Sequence, residues 1–192
     1  MKKVVLFIAG SIAFCGVANA QLEKGSTIIG ADIANFKIGL DKGSASTVTI
    51  DPYAAWFIKN NIALGAKINY GIQAQKGIEP TTDWGVQALG RYYVNDAAIN
   101  VLKHTRFFLE GTAGLAGKIN AETNTSTNGF QFGVGPGMTY FVTPNIGLEG
   151  LLKYNGLVGF GSKAYTSDLT INVGFTIFLP FSKAKAAATG QQ

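Results

Sequence analysis

His104 is the only imidazole and Cys15 the only thiol in 192 residues. A Ser-His-Asp site needs its histidine within reach of a nucleophile. Ser44, Ser46, Ser126, Ser162 and Ser167 all fall in connections on the side of the strand pattern opposite His104. One histidine without a usable cysteine also makes a poor zinc site. The acids Asp41, Glu79, Asp83, Glu122 and Asp168 follow no calcium-loop spacing. The many glycines form no strand-to-helix phosphate fingerprint. The expectation is therefore no catalysis, no cofactor and no metal. The residues left with chemistry to do are charges inside otherwise apolar-alternating segments: Asp51, Lys67, Arg91, Glu110, Glu149 and Lys153. If they share one interior they must pair, because an unpaired buried charge is very costly.

The elements that would bring them together are strands. Phe130, Phe132, Val134, Pro136, Met138, Tyr140 and Val142 share one parity. Gly129, Gln131, Gly133, Gly135, Gly137 and Thr139 take the other, with Phe141 the one large apolar exception. A period of two is a strand and excludes a helix. An interior made of Gly, Gln and Thr alone would leave a hole, so the apolar parity points outward, toward lipid. Eight such segments are expected, at 26–37, 47–58, 62–73, 84–94, 105–119, 129–142, 146–155 and 169–181. Most match the roughly 9–11 residues of a tilted membrane strand. The fold class is all-β: an eight-stranded antiparallel up-and-down transmembrane β-barrel.

Lys59-Asn60-Asn61 and Thr143-Pro144-Asn145 read as tight turns. Longer loops are expected at 38–46, 74–83, 120–128 and 156–168 on the opposite side. Short periplasmic turns and longer extracellular loops are the outer-membrane pattern, with both termini in the periplasm. The connection from Asn95 to His104 departs from it, being long on the turn side. The inward parity carries Asp51, Lys67, Arg91, Glu110, Glu149 and Lys153, with Arg106 and Lys118 nearer the ends. Lys67, Arg91, Glu110 and Glu149 fall at similar heights, so a salt-bridge network plugging the lumen is expected, with Gly and Gln where space is tight. The parity of the first strand is not settled by Ile28, Ile29 and Ile33. Trp56, Tyr92, Phe107 and Tyr140 mark an outward girdle on the turn side. Tyr70, Trp84, Phe130 and Tyr154 mark another on the loop side.

The N-terminus supplies the address. Lys2 and Lys3 precede an apolar run from Val4 to Val17 and the small-x-small site Ala18-Asn19-Ala20. This is a secretory signal with cleavage expected after Ala20. The domains expected are a signal at 1–20, a barrel at 21–181 and a short periplasmic tail at 182–192. Removal of Lys2 and Lys3 leaves 14 basic against 11 acidic residues, too small an excess to argue for nucleic acid. Cys15 leaves with the signal, so no disulfide is expected. Leu169, Ile171, Val173, Phe175, Ile177 and Leu179 share the outward parity of the last strand, closed by Phe178 and Phe181.

That last strand resembles the signal read by the outer-membrane barrel-assembly machinery. Signal, strand order, girdles and final strand together make the chain similar to the small eight-stranded outer-membrane β-barrels. That family includes the OmpA membrane domain and OmpX, and the chain looks most like the OmpA-like barrels common in Bacteroidota. The resemblance implies a plugged barrel in the outer membrane, among lipid and lipopolysaccharide, with a structural or adhesion-type surface role. An alternative is a narrow channel for small solutes or hydrophobic compounds, as in the OmpW family. The balanced charges and the lack of an apolar inward track stand against it. A lipid-modifying enzyme like the lipid A palmitoyltransferase would want a histidine near the extracellular rim, and none is there.

Overall fold

The computed structural model describes residues 22–35, 46–75, 78–94, 104–120, 125–160 and 165–180. The signal with Cys15, the first loop at 38–45, most of the 95–104 connection, Phe181 and the tail lie outside the described residues. Eight strands follow one another: β1 (Thr27–Asn35), β2 (Ser46–Lys59), β3 (Ile62–Gln75), β4 (Ile78–Tyr93), β5 (Thr105–Asn120), β6 (Thr125–Thr143), β7 (Ile146–Gly159) and β8 (Tyr165–Leu179). Each pairs antiparallel with the next, and β1 pairs with β8, closing an up-and-down barrel. Closure satisfies every wall ladder without leaving a free sheet edge, the condition for placing strands in hydrocarbon.

The barrel is apolar outside. Ile68, Val86, Leu115, Val134, Leu148, Ile171 and Val173 all project from the outer wall. Their inward neighbours along the strands are buried or half-buried. This is the reverse of a soluble barrel and matches a lipid-facing band.

Strand lengths differ from the sequence expectation chiefly at the loop end. β4 begins at Ile78, not near Trp84, and β6 at Thr125, not near Gly129. β7 continues to Gly159 and β8 begins at Tyr165. The expected 74–83 loop is mostly ladder, since Gln73 pairs with Thr81 and Gln75 with Ile78. Apolar alternation fades once strands leave the hydrocarbon, but Thr-rich sequence continues to pair. Pro80 lies just before Thr81, where pairing of β4 with β5 begins among the described residues, a position at a ladder end that proline tolerates. β1 is described from Thr27 to Asn35, with a register shift between Asp32 and Ala34 against β8.

The turn end is tied tightly. Asn61 takes a left-handed φ of 66°, a conformation asparagine tolerates, to reverse the chain between β2 and β3. Thr143 Oγ1 accepts from the backbone N–H groups of Asn145 and Ile146, at 3.3 and 3.0 Å, closing the β6–β7 turn. The segment before β1 folds across this rim. Its Leu22 is buried and its carbonyl accepts from Asn61 N–H at 2.8 Å. Gly25 N–H donates to Phe57 O, also at 2.8 Å.

Candidate functional site in the lumen

The inward residues stack in three levels. The lowest, at the turn end, is aromatic: Phe57, Tyr93, Phe108, Phe141 and Phe178 come from five different strands and are buried. Tyr93 is central, with ring centroids 5.7 Å from Phe57, 5.5 Å from Phe108 and 6.1 Å from Phe178. Phe141 and Phe178 lie 5.0 Å apart. Tilted and edge contacts of this kind suit aromatic quadrupoles. The sequence expectation is a salt-bridge network with Gly and Gln, and Phe141 is the one ring of this floor that it places on the inward parity. Each strand contributes only one such ring, so every strand by itself shows a single exception like Phe141. The pattern emerges when the strands are brought side by side.

Above the floor lies the ion-pair level. Glu110 is its hub: its carboxylate meets Arg91 Nε at 2.8 Å, Lys67 Nζ at 3.2 Å and Lys153 Nζ at 3.2 Å. Arg91 Nη1 also donates to Glu149 Oε2 at 2.8 Å and Oε1 at 3.0 Å. Lys67 reaches Asp32 at 2.6 Å. Arg91 is held between two rings, its guanidinium carbon 4.4 Å from the centroids of both Tyr53 and Phe108. That stacking joins the two levels, with the cation facing ring π-density where water is excluded. Glu149 gathers further donors, Tyr53 OH at 2.7 Å and Thr139 Oγ1 at 2.9 Å.

Glycine makes this packing possible. A Cβ on Gly137 would run into the ring of Phe108, and one on Gly30 into the ring of Tyr53. A Cβ on Gly133 would strike the Lys153 stem. Gly137 and Gly133 of β6 are thus sockets for side chains of the neighbouring strands β5 and β7.

The upper level, toward the loop end, is polar and looser. Gln87 Nε2 donates to Gln131 Oε1 at 2.6 Å. A cavity of about 40 Å³ is lined by Asp51, Lys67, Asn69, Gln87, Gln131, Lys153, Asn155, Thr170 and Asn172. Nearer the rim, Lys118 lies 3.6 Å from Asp83, and Asn155 donates to Asp168 at 3.1 Å.

Of the charges singled out from sequence, Lys67, Arg91, Glu110, Glu149 and Lys153 meet in one network. Asp51 joins none of the ion pairs among the described residues; it lines the cavity instead. Asp32 belongs to the network and was missed, since the first strand gave no parity. Tyr53 was missed as well: a lone tyrosine between Pro52 and Ala54 carries no sequence sign that its hydroxyl meets a carboxylate. Seven of the girdle residues, Trp56, Tyr92, Phe107, Tyr140, Tyr70, Phe130 and Tyr154, stand exposed on the outer wall, and Trp84 there is half-buried. Tyr70 and Trp84 are directly paired across β3 and β4. Arg106 donates to its neighbour's carbonyl, Thr105 O, at 3.0 Å. His104 stands exposed at the turn end, 6.5 Å from Tyr140 by ring centroids. Among the described residues no group of His, Cys, Asp and Glu is arranged to hold a metal ion.

No protein-family model and no curated protein matches the chain. Its shape does match solved structures. Neisserial surface protein A superposes with a TM-score of 0.53 at 16% identity, over 79% of this chain and 93% of the other. The N-terminal β-barrel domain of Pseudomonas aeruginosa OprF gives 0.49 at 15% identity, over 81% and 98%. Yersinia pestis Ail, an outer membrane protein, gives 0.49 at 11% identity, over 80% and 100%. The likeness to Neisserial surface protein A is one of fold: a small closed barrel of this size and strand order.

Proposed function

We propose that this protein is an outer-membrane barrel with a closed lumen, serving a structural or adhesion-type role through its outer wall and loop end. One observation carries the reading: the Glu110 ion-pair hub is joined through Arg91 to an aromatic floor, so side chains occupy the axis where a solute would pass. Arg91, Glu110, Tyr93, Phe57 and Phe178 are each at most 2% exposed. An eight-stranded barrel encloses only enough space for such filling. The exposed apolar band and the two aromatic girdles support residence in a bilayer. The secretory signal and the tight turns at the end bearing both termini support the outer membrane with a periplasmic turn end. The likeness in sequence pattern to OmpA-like barrels of the Bacteroidota type belongs to the same reading. So do lipopolysaccharide as the loop-end environment and the barrel-assembly machinery as the insertion partner. The role assigned includes no catalysis.

Planar-bilayer recording on the purified protein tests the closed lumen. Protein shown to be inserted is expected to give no steady conductance. A reproducible open level would overturn the closed lumen and make transport of small solutes the leading function.

A further inference from the structure

Among the described residues the buried lumen charges do not balance. Four buried carboxylates, Asp32, Asp51, Glu110 and Glu149, face three buried cations, Lys67, Arg91 and Lys153. The three cations are all engaged by Asp32, Glu110 and Glu149. Asp51 is the carboxylate left over. It is 8% exposed and sits directly across from Asp32 in the β1–β2 ladder, a like-charge pair that is unfavourable by itself. Its Oδ1 has no hydrogen-bond partner in the protein, and neither do Asn69 Oδ1 and Asn172 Oδ1. All three residues line the 40 Å³ cavity.

From this juxtaposition we propose that the cavity is a binding site for one small monovalent cation, of the sodium or potassium class, held on Asp51 with Asn69 and Asn172. The chemistry selects that class. The unpartnered atoms are oxygens, the ligand type of hard alkali and alkaline-earth ions. A single uncompensated charge, with the Lys67 and Lys153 ammonium groups on the same wall, disfavours a divalent ion. Water satisfies amide oxygens but leaves the charge of Asp51 in place. The cavity has room for about three water-sized groups, enough for one ion and part of its hydration.

The test compares urea unfolding of the refolded protein in sodium or potassium chloride with N-methylglucamine chloride, at equal ionic strength and pH. A cation at ten times its dissociation constant raises the folded-to-unfolded ratio about elevenfold. That gain is expected in sodium or potassium and not in N-methylglucamine, and Asp51→Asn should abolish it. Crystals soaked in thallium(I) should give an anomalous peak in the cavity. Equal stability in all three salts, as a proton on Asp51 alone would give, overturns the proposal. A cation effect that survives Asp51→Asn overturns it too.

Discussion

The two halves of the lumen grow from the same eight strands and reach opposite ends by different chemistry. At the turn end, rings from five strands interlock, and their one polar atom, the Tyr93 hydroxyl, accepts from Arg91 Nη1 at 3.4 Å. At the loop end, amides, Thr170, Asp51 and two lysines surround a cavity with oxygens unpartnered in the protein. The ion-pair level divides them, and Arg91 belongs to both, stacked on Phe108 below and hydrogen-bonded to Glu110 at its own height. The difference teaches that filling and satisfying an interior are separate tasks. Aromatic rings fill; charged hubs satisfy, and only where enough partners converge.

The sharpest way to break this division is at its centre. Glu110→Ala strips Arg91, Lys67 and Lys153 of a shared partner and leaves buried positive charge, a loss of roughly 3–5 kcal/mol. Equilibrium urea unfolding in lipid should show it as a lower midpoint. An unchanged midpoint would remove Glu110 from the framework of the barrel. Next in size is Phe178→Ala, which opens the floor and should cost about 3 kcal/mol, since Phe178 is fully buried among other rings. Tyr53→Phe keeps the ring against Arg91 but removes one donor to Glu149, with an expected loss of about 1–2 kcal/mol. Gln131→Ala in the loop half should cost less than about 1 kcal/mol, because its partner Gln87 borders the cavity. A loop-half substitution as costly as the floor substitution would erase the contrast.

Much of the architecture was legible because lipid enforces a strict alternation. Val134, Met138 and Tyr140 must be apolar, and their neighbours must fit inside. Legibility failed where that constraint lapses. Thr81, Thr82 and Thr125 continue the ladder outside the apolar band and look like loop residues. The interior was half visible: charges such as Arg91 and Glu110 stand out in an apolar strand, and they are in fact cross-strand neighbours. The floor was not visible, because Phe57, Tyr93, Phe108 and Phe178 belong to one cluster only after closure. Asp32 was hidden for a related reason: β1 shifts register at Asp32, and Ile28, Ile29 and Ile33 do not mark one parity.

The β1–β8 seam has a kinetic consequence. Seven of the eight strand pairings join consecutive strands, contacts whose loop closures are far shorter than that of the eighth. The remaining one brings Thr27 against Leu179, nearly the whole described chain apart. Long-range pairing of this kind is slow. The open, seven-seam sheet is therefore the expected precursor, and the Asp32–Lys67 contact across β1 and β3 can form only once β1 is seated. A cysteine pair bridging Ala31 and Phe175, which are directly opposed in the closing ladder, would report the time at which the cylinder shuts.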